Sequence, residues 1–157
     1  MLLALTPIGF VRNDRKDLSD DDWGAVTSVV ELAPHLDADS LNGLEDFSHV
    51  EVLFFFDRVA ESEIELRSRH PRGNVAWPRV GIFAQRGKNR PNRLGSCIAE
   101  VILRNGRELH VLGLDAVDGT PVVDLKPVMR EFLPRGEIRQ PEWSVELMRG
   151  YWTRPTP

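Results

Sequence analysis

At 157 residues the chain is most simply one domain with a real core, and a hydrophobic share of 41% excludes global disorder. A formal net charge of −4 excludes a uniformly basic nucleic-acid binder, yet the charge is unevenly spread. Residues 1–65 hold four Lys/Arg against fifteen Asp/Glu, residues 66–99 hold eight Lys/Arg and no acid, and residues 100–157 balance at −1. One basic segment on an acidic protein points to a localised anion site.

In chain order, residues 1–10 (MLLALTPIGF) are apolar but lack a basic n-region and meet Pro7 early. They read as the start of a strand over 3–12 rather than a signal peptide. Residues 13–22 are a polar, acidic loop, closed by Trp23-Gly24, and 25–32 form a strand rich in Val. In the connection 34–44, Asp37, Asp39 and Ser40 are placed to cap one helical turn, and Gly43 to end it. Val50, Val52, Leu53, Phe54, Phe55 and Phe56 make a nearly unbroken apolar run. It predicts a strand over 49–56 covered on both faces, or with one face at a subunit contact. Asp57-Arg58 stop it, and 61–77 read as a long mobile connection carrying Arg67, Arg69, His70 and Arg72.

Val80, Ile82 and Phe83 begin another strand, which breaks into a loop holding Arg86, Lys88, Arg90 and Arg93, stiffened by Pro91 between Gly87 and Gly95. Residues 94–103 and 108–114 are strands, and Asn105-Gly106 between them predicts a type I′ hairpin. Asp118-Gly119 marks a turn before a strand over 122–125, and 141–150 reads as a short helix with Trp143 and Leu147 on one face. Six or seven strands against one or two short helices predict a mainly β fold, a single-sheeted antiparallel barrel of six to seven strands. A Rossmann unit is excluded, since neither strand–helix alternation nor GxGxxG is present.

Four cations in the loop suit phosphate or carboxylate, with Asn89 and Asn92 available to a base. The competing reading is a solvated loop guarding a sheet edge. In LDAVDGTP (114–121), Asp115 and Asp118 lie three apart on a turn, suited to offset positive charge, although Asp-Gly and Thr-Pro are ordinary turn formers. Lys126 joins the anion site or pairs with Asp124 or Glu131. Histidines 35, 49, 70 and 110 lack metal-ligand spacing, so no metal is expected, and His49 reads as a satisfied structural residue. Cys97, the single cysteine, forms no internal disulfide, fits a cytoplasmic setting and reads as a small buried hydrophobe. Trp77 and Trp143 read as packing residues, and Trp23 as packing or base-stacking. No run reaches the roughly 18 apolar residues of a membrane span.

The segments PIGFVRN (7–13), LEDFSHVEVLFFFD (44–57), GIFAQRGKNRPNRLG (81–95) and LDAVDGTPVVDLKP (114–127) resemble the TsaA-like family, which includes the TrmO tRNA methyltransferases. The resemblance covers roughly residues 5–130, in the family's order. It implies a barrel domain over 1–130 that dimerises, with 131–157 as a short helix and tail packed on the barrel or the dimer partner. It implies S-adenosylmethionine as cofactor and methyl transfer to N6 of a threonylcarbamoyl-modified adenosine beside the tRNA anticodon. By position, the implied cofactor residues are Phe56, Asp57, Arg86, Ser96, Leu114, Asp115, Ala116, Val117 and Asp118, with Asp118 also the candidate proton acceptor. Lys88, Arg90, Asn92, Arg93 and Lys126 are the implied RNA or anion contacts.

Three departures stand out. Arg93 occupies a position where the family carries proline, DDDWGAVTS (20–28) replaces a Pro-Arg-Gln stretch, and bacterial members carry a C-terminal domain after the barrel. They keep two alternatives open: a methyltransferase for a small metabolite, and a non-catalytic RNA- or nucleotide-binding barrel. The methyltransferase reading requires Arg86 and Asp118 on the same side of the molecule.

Overall fold

A computed structural model describes residues 1–154. Six strands close into an antiparallel barrel: β1 (Gly9–Arg12), β2 (Thr27–Leu32), β3 (His49–Phe55), β6 (Leu94–Asn105), β7 (Glu108–Leu112) and β8 (Pro121–Pro127), in the spatial order β1-β2-β7-β6-β3-β8. Two short strands, β4 (Ser68–Arg69) and β5 (Val80–Gly81), pair separately within the connection from β3 to β6. Helix α1 spans Glu142–Leu147.

The barrel follows from period-2 burial. In β3, Val50, Val52 and Phe54 point inward and are at most 2% exposed, while Leu53 and Phe55 are half-buried outside. The apolar run is therefore an alternation with an uncovered outer face, not a strand buried on both faces. Val11, Val30, Leu109, Val111, Leu114 and Val122 are among the residues that pack with them in the interior. Phe54 is paired with Gly95 across the ladder, and a Cβ there would lie 2.4 Å from the Phe54 ring. That glycine exists to make room for an aromatic core residue.

Several local expectations shift. The first strand begins at Gly9, and residues 1–6 are exposed. The 61–77 connection is punctuated by 3-10 turns at Glu61–Glu63 and Pro71–Gly73 and by β4. The strand expected at 80–83 ends at Gly81, and a 3-10 turn over Ile82–Ala84 sends Ile82 inward and leaves Phe83 75% exposed. The hairpin forms, but Asn105 pairs with Glu108 and the central residues are Gly106 and Arg107. Gly106 alone has positive φ, 58°, which is the II′ pattern rather than I′.

Antiparallel order sorts the connections to two ends. The β1–β2 loop (13–26), the β3–β6 connection (56–93) and the β7–β8 turn (113–120) share one mouth. Register confirms it: Phe55 faces Leu94, Phe54 faces Val122, and Phe10 faces Pro121. After β8 the chain leaves from the opposite end and returns, so that Asp22 N–H donates to Gly150 O (3.1 Å) and Trp23 N–H to Tyr151 O (2.8 Å). Residues 155–157 of the expected tail lie outside the described residues.

Phe54 should be a pillar of this barrel. Phe54→Ala is expected to cost about 3–5 kcal/mol in urea unfolding, with the m-value little changed.

Candidate functional site

The basic loop is braced by its own arginines. Arg90 donates to Gln85 O (2.9 Å), and the Gln85 amide donates to Arg69 O and Val80 O. Arg69 donates to Asn89 Oδ1, and Arg93 donates to Val59 O with its guanidinium 4.7 Å over the Phe55 ring. Arg90 and Arg93 thus hold the loop's shape as well as supplying charge. Asn92 and Arg93 have φ of 63° and 50°. Proline, locked near −65°, cannot adopt the latter, so this loop turns differently from one with proline at that place. Among the described residues, none of Arg67, Arg69, Arg79, Arg86, Lys88, Arg90 or Arg93 pairs with a carboxylate; in this segment only Arg72 does, with Asp20 and Asp21. The Arg69 Nε is buried without a hydrogen-bond acceptor. Within residues 66–99 the positive charge has no acid of its own, and the acidic 13–26 loop at the same mouth meets it through Arg72.

The carboxylate turn faces it. Leu114, Ala116 and Val117 are buried, so their side chains belong to the core and their backbone alone is available. Asn13, at the end of β1, ties the turn down: its amide donates to Ala116 O and Ser28 Oγ, and its N–H donates to Asp118 Oδ1 (3.1 Å). Asp118 N–H donates to Arg15 O, and Arg58 donates to Asp118 O (2.7 Å). Asp118 is half-buried, and no hydrogen bond among the described residues engages its second oxygen.

Asp115 differs. Its Oδ2 accepts the Tyr151 hydroxyl at 2.5 Å, and its Oδ1 is buried with no partner. Burial pushes its carboxyl above the ordinary range, against the lowering effects of Tyr151, Cys97 and the Arg86 charge. Burial and the same carboxylate push up the Cys97 thiol, and likewise the Tyr151 hydroxyl. Cys97, which donates to Gly113 O, is thus an inert packing residue as expected. Leaving one carboxylate oxygen unpaired costs about 1–3 kcal/mol.

Arg86 donates to the Ser96 carbonyl (2.5 Å), and its charge reaches both Cys97 and Asp115. The structure thus brings Arg86 together with the 114–119 turn. The Ser96 hydroxyl donates instead to Glu51 on the outer wall, so of Ser96 only the backbone meets Arg86. Phe56 packs edge-on against Phe54, its N–H donating to Arg93 O, and Asp57 is exposed beside it. Lys126 pairs with Asp124 (2.7 Å) on the outer wall across from Glu51. Trp23 is 5% exposed beneath the Arg15 guanidinium, 4.0 Å from its ring, so it packs and is closed to base stacking.

Sequence reasoning missed Asn13, Arg15 and Tyr151. Arg15 donates to the carbonyls of Ser19 and Asp21 and stiffens the acidic loop that stands where a Pro-Arg-Gln stretch was expected. The asparagine sits inside the quoted PIGFVRN segment and was the one legible signal. Among the described residues no three His, Cys, Asp or Glu gather as a metal site, and no helix is long and apolar enough to cross a membrane.

The sequence model of the tRNA-methyltransferase O N-terminal domain matches residues 21–132. The chain is 42% identical over 104 residues to the tRNA (adenine(37)-N6)-methyltransferase of Escherichia coli, covering 62% of this chain and 43% of that one. It is 34% identical over 131 residues to "Probable S-adenosyl-L-methionine-binding protein" of Methanothermobacter thermautotrophicus, covering 81% of this chain and 90% of that one. The crystal structure of TrmO from P. aeruginosa superposes with a TM-score of 0.73 at 27% identity, over 91% of this chain and 62% of that one. Of other curated relatives the chain spans less, from 57% of one down to 21% of another.

Asp115 sets a pH dependence. Its native pKa lies above the unfolded value of 3.8, so the native state holds the proton more tightly. Stability therefore falls as pH rises from that value through the native pKa. Asp115→Asn removes this loss, so its thermal midpoint should exceed the parent's at pH 7 and converge with it near pH 4.

Proposed function

We propose a function from one premise: the chain belongs to the family of the tRNA-methyltransferase O N-terminal domain. It acts as an S-adenosylmethionine-dependent methyltransferase, and its acceptor is N6 of a threonylcarbamoyl-modified adenosine beside the anticodon of tRNA. The names of its relatives, tRNA (adenine(37)-N6)-methyltransferase and S-adenosyl-L-methionine-binding protein, support this reading. The observation that carries it is the shared mouth: a basic loop with no acid in its own segment and a carboxylate turn are brought to the same end of the barrel, near enough for the Arg86 charge to act on Asp115.

The residues present fit the cofactor. Arg86 offers a cation and Asp115 an unpaired acceptor, while the buried 114–117 stretch offers backbone groups to an adenine edge. S-adenosylmethionine supplies an electrophilic methyl group. An exocyclic amine is a weak nucleophile, so the protein's contribution is alignment and a place for the proton. Asp118 fills the second role: its Oδ1 is held by Asn13, which orients the other oxygen as acceptor. Lys88, Arg90, Asn92 and Arg93 face the RNA phosphates or the threonylcarbamoyl carboxylate. Lys126, expected among these contacts, is paired with Asp124 opposite Glu51, toward the end of β8 that points away from the mouth, and is left out of them.

Homodimerisation is the second part of the proposal. The outer wall of β3 and β6 exposes Leu94, Ile98, Ile102 and Leu103 beside the half-buried Leu53 and Phe55. A second copy covers this strip, and a tRNA substrate sets the protein in the cytoplasm.

Incubation with methyl-labelled cofactor and tRNA tests the activity, read by mass spectrometry of nucleosides. One added methyl on the modified adenosine is expected, and label entering only small metabolites contradicts the assignment. Lys88→Ala should weaken tRNA binding and make its salt dependence shallower by about one unit of slope. Ile98→Glu should halve the mass seen in sedimentation equilibrium. A parent that sediments as a monomer at micromolar concentration contradicts the dimer.

A further inference from the structure

Residues 150–152, near the end of the described residues, form a strap that lies outside the segment that matches the family, yet it is fitted to the mouth. Two backbone hydrogen bonds seat it on Asp22 and Trp23. A Cβ on Gly24 would lie 2.1 Å from the Trp152 carbonyl oxygen, so the acidic loop has a glycine where the strap crosses it. The Tyr151 and Trp152 rings meet edge-to-face at 5.0 Å. From this seat the Tyr151 hydroxyl reaches Asp115 Oδ2.

We propose that Tyr151 is a positioning residue of the cofactor site: its hydroxyl fixes the Asp115 carboxyl so that Oδ1 is left for an N–H donor of a bound adenosyl ligand. This rests on the cofactor reading given above. Two observations carry it. Oδ1 is buried and has no hydrogen-bond partner among the described residues, although buried carboxylate oxygens are as a rule paired. Among the described residues, the one side-chain hydrogen bond to the other oxygen comes from a segment that is not woven into the barrel. Because Oδ1 is buried, its donor arrives only when the surface over it parts.

The groups facing Asp115 are Tyr151 from the strap, Cys97 from β6 and Arg86 from the basic loop, with Asp20 acting on Tyr151. Tyr151 favours the ionised carboxyl, so its loss makes ionisation, and with it ligand binding, require a higher pH.

Calorimetry on the full chain tests this with S-adenosylhomocysteine and 5′-methylthioadenosine as probes. Tyr151→Phe keeps the ring and removes only the hydroxyl. It should weaken binding about tenfold at neutral pH, with the gap closing as pH rises. Weakening of both probes assigns the donor to the adenine amine; weakening of S-adenosylhomocysteine alone assigns it to the amino-acid end. Unchanged affinity, or a loss equal at every pH as loosened packing would give, overturns the role of Tyr151. A parent protein that binds neither probe overturns the cofactor reading itself, which separates the two failures.

Discussion

The structure depends on closing the barrel between its first and last strands. That seam is short. Gly9 and Phe10 face Val122 and Pro121, and Ile8 and Val11 donate to the carbonyls of Val122 and Thr120. Gly119 returns a hydrogen bond to Val11 O. The seam sets the carboxylate turn against the end of β1, where Asn13 can bind it. Without closure, β1 with Asn13 and the acidic loop after it would lie at the opposite edge of an open sheet from β8 and its carboxylate turn.

Around that mouth, charge is arranged by use rather than by number. Arginines that stiffen the loop donate to carbonyls, and no acid in the same segment cancels their charge. The two carboxylates of the turn are separated by environment. Asp118 is a half-exposed brace, while Asp115 is enclosed between a thiol and a phenol, with a guanidinium near enough to act on it. One acid of the turn is half-exposed and held by a backbone N–H, and the other is enclosed between a thiol and a phenol, so a single turn offers two environments. The energetic cost of the second is borne by the fold, which is how strained binding features are generally accommodated.

The architecture was readable from the chain because its signals are local. Apolar runs mark β3, β6 and β7, and the turn residues at 105–107 join the antiparallel neighbours β6 and β7, while 118–119 announce the start of β8. The errors share a cause as well. β4 and β5 are two residues each and exist only through each other, so no periodicity announces them. Ile82 and Phe83 look alike as strand residues, and a 3-10 turn alone sends them to opposite environments. At the site, residue types were legible and their assignments were not. Asp115 and Asp118 are the same residue three apart, and what distinguishes them is Tyr151, which is 36 positions away from the first in a stretch with no motif. Ser96 was placed at the mouth by position, but the pleat turns its hydroxyl outward to Glu51. The acidic 20–24 loop stands in sequence only as a replacement for a Pro-Arg-Gln stretch; in three dimensions it is the platform on which the C-terminal strap rests.

The central claim is that one ligand lies in the mouth between Arg86 and the 114–119 turn. A crystal structure of the full chain with S-adenosylhomocysteine tests it most directly. The account predicts ligand density touching both the Arg86 guanidinium and the backbone of residues 114–119. Density on the outer wall or at the opposite end of the barrel would contradict it.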